Sequence, residues 1–122
     1  MKHNKNYIII SKIISYCKEA QDTVERAGDF DTLSNDTLYK NAASMCILQI
    51  GELVSVLDKE VIDKYTNIPW SNIKKMRNKA AHHYGKFDSK ILWETIKDDI
   101  PILINVCNNI IKELDEMNSD NV

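Results

Sequence analysis

At 122 residues, with 43% hydrophobic and 28% charged positions and a formal net charge of −2, the chain has the composition of a soluble globular protein, one domain spanning 1–122. The near-neutral balance excludes a protein that coats nucleic acid indiscriminately, and no run of about 18 apolar residues exists to span a membrane. Three glycines and two prolines are few for this length, so turns are scarce and long helices are expected.

Across residues 6–27, apolar side chains recur at Ile10, Ile13, Ile14, Cys17, Val24 and Ala27, the spacing of a long amphipathic helix. Gly28 is its stop signal, and 28–34 reads as a connection. Cap-type residues at 34–36 open a second helix running to about Asp58. Its apolar series is read as Leu38, Ala42, Met45, Cys46, Gln49, Leu53, Val56 and Leu57. Gly51 inside that helix costs roughly 1 kcal/mol against Ala; the missing side chain would let another helix approach closely. Residues 59–65 supply one or two further turns. Pro69 suits the first turn of a helix over 70–82, and Gly85 breaks it. Asp88 is an N-cap for a helix beginning at Ser89, with Ile91, Leu92, Ile96 and Ile100 inward. Pro101 predicts a kink or restart, after which helix resumes through Ile102, Leu103, Val106, Ile110, Ile111 and Leu114. No segment alternates like a strand. The expected fold is an all-α, up-down bundle of four long helices plus a short extra one.

Cys17, Cys46 and Cys107 are odd in number, widely spaced and set among apolar neighbours, and read as buried free thiols of a reducing compartment. The apolar run 7–14 follows two lysines, but Ser11 and Lys12 interrupt it and no small-residue cleavage site follows. The expected location is the cytoplasm.

Chemistry concentrates in Met76-Arg77-Asn78-Lys79-Ala80-Ala81-His82-His83-Tyr84-Gly85. Arginine offers a planar, permanently charged fork of donors, histidine exchanges a proton near neutral pH, and tyrosine adds a modifiable hydroxyl. Lys74, Lys75, Lys79, Lys86 and Lys90 surround them against Asp88 alone, a local basic patch on a mildly acidic body. Arg77 and Tyr84, seven apart, share a face if helix persists, as do Asn78 and His82, four apart. Arg77 and His82, five apart, would diverge by about 140° on a regular helix. Either the helix loosens before Gly85, or two chains pool their residues at one cleft. An arginine in a lysine cluster also reads as a solvated face, and paired histidines near a helix end as caps for its last carbonyls. A di-iron bundle is disfavoured, because Lys79 stands where its Glu-x-x-His pattern needs a glutamate before His82. Trp70, Phe87 and Trp93 read as core or interface aromatics.

The order Arg77, four residues, His82, one residue, Tyr84 resembles the signature of HEPN-domain ribonucleases. The stretch Trp93-Glu94-Thr95-Ile96-Lys97-Asp98-Asp99-Ile100-Pro101 is similar to the one that follows it in HepT-type toxins. The resemblance implies a metal-independent endoribonuclease toxin without a cofactor, acting on RNA at a homodimer cleft. It implies restraint by a nucleotidyltransferase antitoxin of the MntA type that transfers AMP to a tyrosine. By position, catalysis falls on Arg77 and His82 and AMP acceptance on Tyr84, with Asn78, Lys79 and His83 in support. His83 is the rival base; the His-x-Tyr register selects His82.

The residue types suit that chemistry. RNA carries its own nucleophile, the 2′-hydroxyl beside the scissile phosphate. A neutral histidine removing its proton is worth roughly 10²–10⁴-fold, and nearby lysines favour the neutral imidazole. An arginine fork braces the phosphate as negative charge builds, worth roughly 3–4 kcal/mol. A 2′,3′-cyclic phosphate would result, and DNA would be refused. The alternative function is a non-catalytic helical module that docks on a nucleotidyltransferase or binds nucleic acid.

Overall fold

Apolar residues at three- and four-residue spacing run through the whole chain, and the backbone follows them. The computed structural model describes the backbone at residues 2–66, 68, 70–82 and 88–120; the side chains of 2–4, 72, 76, 79–82 and 118–120 lie outside the described residues. Its elements are α1 (Lys2–Ala27), α2 (Phe30–Asn35), α3 (Thr37–Ser55), α4 (Lys59–Lys64), α5 (Trp70–His82), α6 (Ser89–Glu94), a π-helical turn (Thr95–Asp99) and α7 (Ile100–Asp120). All are helical, as an all-α bundle requires. The last three make one near-continuous helical run. α3 packs between α1 and α5, and α1 also lies against α7.

Helix boundaries follow local chemistry. Gly28 ends α1 with φ +87°, a conformation other residues rarely adopt, and its N–H donates to Val24 C=O at 3.0 Å. The segment 28–34, expected as a connection, instead holds the short helix α2. Asp29 caps it by accepting the Thr32 N–H at 2.7 Å, and Leu33 is buried beneath it. Asp36 then caps α3 through the Leu38 N–H at 3.0 Å. The bundle therefore carries two short helices, α2 and α4, where periodicity alone indicated one. Asp88 caps α6 as expected, accepting from the Lys90 and Ile91 N–H groups at 2.9 and 3.3 Å.

The irregularity expected at Pro101 is present as a π-helical turn just before it, with α-helix resuming at Ile100. The adjustment falls upstream, where the Ile100 N–H reaches back five residues to Thr95 C=O. A proline lacks the N–H and crowds the carbonyl four residues before it; a π-turn is one way to absorb both.

The core is built from Ile10, Ile13 and Cys17 of α1, Leu33 of α2, Ile50 and Val54 of α3, and Leu92, Ile96, Cys107 and Ile110 from the C-terminal run. On α3 the buried face differs from the expected series. Cys46 and Leu57 are buried as expected, but Leu38 is 80% exposed and Ala42, Met45 and Val56 face outward, whereas Ala43, Ile47, Ile50 and Val54, outside that series, are buried. The helix is apolar on several faces, so periodicity alone does not select which one α1 and α5 cover. Ile91 on α6 and Ile102 on α7 are likewise exposed.

The three cysteines are free and buried, as expected. Burial pushes the Cys46 thiol up to about 11 and the Cys107 thiol up to about 12. They pack as inert apolar side chains at neutral pH. Among the described residues, no helix is long and apolar enough to cross a membrane.

Candidate functional site

α5 carries the chemistry-bearing window as far as His82, and its entry is anchored. Trp70 is buried, and its indole N–H donates to Tyr65 C=O at 2.9 Å. Ile68, two residues earlier, is buried as well. From that anchor α5 runs along α3, and its residue 77 meets Gly51.

The approach is close. A Cβ added to Gly51 would stand 2.3 Å from Arg77 Cβ, 2.9 Å from Cγ and 3.3 Å from Cδ. The absent side chain is the space that the arginine stem occupies. The helical glycine thus has the packing explanation expected of it, and the helix that approaches is α5.

The arginine fork is held at both sides. Its Nε and Nη2 donate to Asn78 Oδ1 at 3.2 and 2.8 Å, and Nη1 lies 3.5 Å from Glu52 Oε1. The Arg77 side chain is 27% exposed and that of Glu52 54%. An ion pair this open to water contributes about 0–1 kcal/mol to stability, so its main effect is to orient the fork. A guanidinium carries five N–H donors, more than the two described acceptors engage.

Of the residues expected in the site, the structure brings Arg77 and Asn78 into direct contact. His82 closes α5 in its backbone, but its side chain and that of Lys79 lie outside the described residues, as do His83 and Tyr84 entirely. Phe87 and Lys86 of the same stretch lie outside them too. Lys74, Lys75 and Lys90 are exposed, in keeping with a basic patch. The partner that motif reading missed is Glu52. Its signal was present beside Gly51: a helical glycine marks where a second helix arrives, and the next residue can reach what arrives there.

Trp93 is half-buried and meets Phe30 edge to face, with centroids 6.0 Å apart; Lys97 Nζ lies 5.4 Å from its ring. Both tryptophans therefore serve packing, as expected. A hollow of about 170 Å³ lies among α1, α4 and α7, lined by residues including Asn6, Val61, Tyr65, Ile110 and Leu114. Arg77 sits between α3 and α5 instead. Among the described residues, no group of three His, Cys, Asp or Glu side chains is arranged to hold a metal ion.

Comparison with known proteins gives a consistent result. The family model described as Ribonuclease HepT-like matches residues 13–110. A Methanocaldococcus jannaschii protein provisionally named an RNase is 35% identical over 88 residues, 72% of this chain and 76% of its own length. A similarly named protein of Caldanaerobacter subterraneus subsp. tengcongensis is 32% identical over 79% of this chain and 88% of its own. The "Probable ribonuclease HepT" of Thermococcus cleftensis is 26% identical over 72% of this chain and 86% of its own. No solved structure matches the chain.

Proposed function

This chain belongs to the HepT-like ribonuclease family, and we propose that it is a metal-independent endoribonuclease toxin. One observation carries the reading most: Arg77, which opens the Arg-x4-His-x-Tyr order, is seated on Gly51 with its fork oriented by Asn78 and Glu52. An arginine held in this way is built to meet a planar array of phosphate oxygens.

In the proposed reaction His82, as neutral imidazole, takes the proton of the 2′-hydroxyl. The resulting oxygen attacks the adjacent phosphorus and the P–O5′ bond breaks; the leaving 5′-oxygen takes a proton from water and the imidazolium gives its own back to solvent, so that a 2′,3′-cyclic phosphate and a 5′-hydroxyl end result. Arg77 braces the phosphate while charge accumulates. The backbone of α5 stays helical through His82, which disfavours local loosening as the means of uniting Arg77 with His82. That supports a site assembled between two copies, with Asn78, Lys79 and His83 in support. AMP transferred to the Tyr84 hydroxyl by an MntA-type nucleotidyltransferase antitoxin would place a phosphate near Arg77 and exclude RNA by charge and bulk.

The test is cleavage by purified, unmodified protein in EDTA. A substrate with ribose throughout should be cut to cyclic-phosphate ends, and one with a single 2′-deoxy residue at the scissile position should resist there. A requirement for a divalent metal ion, or cutting at the deoxy position, would overturn the mechanism. Intact RNA under all conditions would favour the non-catalytic docking module.

A further inference from the structure

We infer that Gly51 and Glu52 of α3 are positioning residues for Arg77: the glycine sets how far the arginine stem descends onto α3, and the carboxylate sets where its fork points. The inference rests on the proposed role of Arg77 in bracing RNA phosphate, and adds two residues that lie well outside the sequence signature.

Gly51 acts through distance. The atom its missing Cβ would strike first is Arg77 Cβ, at 2.3 Å. That atom is bonded to the α5 backbone, so no side-chain rotation can move it aside. Ordinary carbon contacts lie near 3.5–4.0 Å, so even alanine would force α5 away from α3 by roughly 1 Å. Displacement of that size at a reacting centre costs roughly 10²-fold in rate.

Glu52 acts through direction. It follows Gly51 on α3, and its Oε1 lies 3.5 Å from Nη1, while Asn78 Oδ1 takes Nε and Nη2 from the other side. An arginine side chain has many rotamers, and two acceptors on different helices select among them. The carboxylate also places a negative charge beside a group meant to receive phosphate. That arrangement weakens ground-state attraction for RNA while holding the fork for the transition state. A residue with only a stabilising role would not have opposite effects on binding and rate.

The chain contains two arginines, Arg26 and Arg77, which makes a direct readout available. Protein labelled with ¹⁵N-arginine should give two side-chain Nε–H signals, assignable with Arg26→Lys. In Glu52→Ala the Arg77 signal should shift and exchange faster with water, while that of Arg26, paired with Asp22, stays in place. On RNA the same variant should lose roughly tenfold in kcat with KM unchanged or lower, and its thermal midpoint should stay within about 5 °C of wild type. Glu52→Gln, which keeps an acceptor oxygen, should recover part of kcat. Gly51→Ala should lose roughly 10²-fold; should it not fold, the Glu52 variants carry the test. Wild-type kcat in Glu52→Ala, or an unmoved Arg77 signal, overturns the positioning role when Arg77→Ala is inactive. Wild-type cleavage by Arg77→Ala overturns the ribonuclease reading of Arg77 itself, a separate result.

Discussion

Replacing Arg77 with alanine should separate chemistry from folding, and the structure gives both magnitudes. On the folding side, Arg77→Ala removes an ion pair whose partners are 27% and 54% exposed, worth about 0–1 kcal/mol. It also removes the stem atoms lying over Gly51, while its Cβ remains. The lost stem packing adds about 1 kcal/mol, and for a chain of this length each kcal/mol corresponds to about 3–6 °C in thermal midpoint, so the drop should not exceed about 12 °C. On the chemical side, loss of one donor group to a developing oxyanion costs roughly 10²–10³ in kcat. The matched control is Ile50→Ala, next to Gly51 on the same helix. Ile50 is 1% exposed, and such a truncation costs about 2–5 kcal/mol. Its midpoint should therefore fall further than that of Arg77→Ala, yet well below that midpoint each folded molecule should cleave RNA at nearly the wild-type rate. Calorimetry and single-turnover cleavage at 20–25 °C on both variants complete the comparison. A slower rate for Ile50→Ala than for Arg77→Ala, or an Arg77→Ala deficit that vanishes once activity is normalised to folded protein, would remove Arg77 from the chemistry.

Other outcomes follow from individual residues. His82→Ala should abolish cleavage while His83→Ala keeps most of it; the reverse pattern would move the base by one residue. If the proposed control operates, incubation with an MntA-type nucleotidyltransferase and ATP should add adenylyl mass to Tyr84 and silence the protein. Tyr84→Phe should escape, and its complete silencing would show control by simple binding. Asp88→Ala removes the acceptor for the Lys90 and Ile91 N–H groups and should cost about 1 kcal/mol, with Asp88→Asn recovering most of it. Equal thermal midpoints for Asp88→Ala and wild type would count against the cap. Glu113 accepts hydrogen bonds from the Tyr65 hydroxyl and from Lys64 Nζ, and these hold its carboxyl below the usual glutamate value. A carboxyl depressed by folding stabilises the native state above the unfolded value of about 4.5; that contribution fades as pH falls through the lower folded value. Thermal midpoints between pH 6 and pH 3 should accordingly fall less steeply in Tyr65→Phe than in wild type, and parallel curves would exclude the linkage.

The helical class, the stop at Gly28, the cap at Asp88 and the span of α5 were legible in the sequence because each is a local matter. A glycine takes positive φ, an aspartate reaches N–H groups two and three residues ahead, and apolar spacing reports the period of the backbone. The short helix α2 was less legible: six residues hold too little periodicity, and only its Asp29 cap marked it. The buried face of α3 was misread for a different reason. Leu38, Met45 and Val56 are as apolar as Ile47, Ile50 and Val54, and burial among equals depends on which neighbours arrive. The candidate site divides along the same line. Arg77, His82 and Tyr84 stand out by residue type and order within one short window, which a one-dimensional pattern displays. The pairing of Arg77 with Gly51 and Glu52 joins positions about 25 residues apart, a relation created when α5 lies down on α3. Residue type and short-range spacing determined the elements and the chemistry on offer; only packing between helices decided which face was buried and what holds the arginine in place, because contact across distant sequence has no local signature.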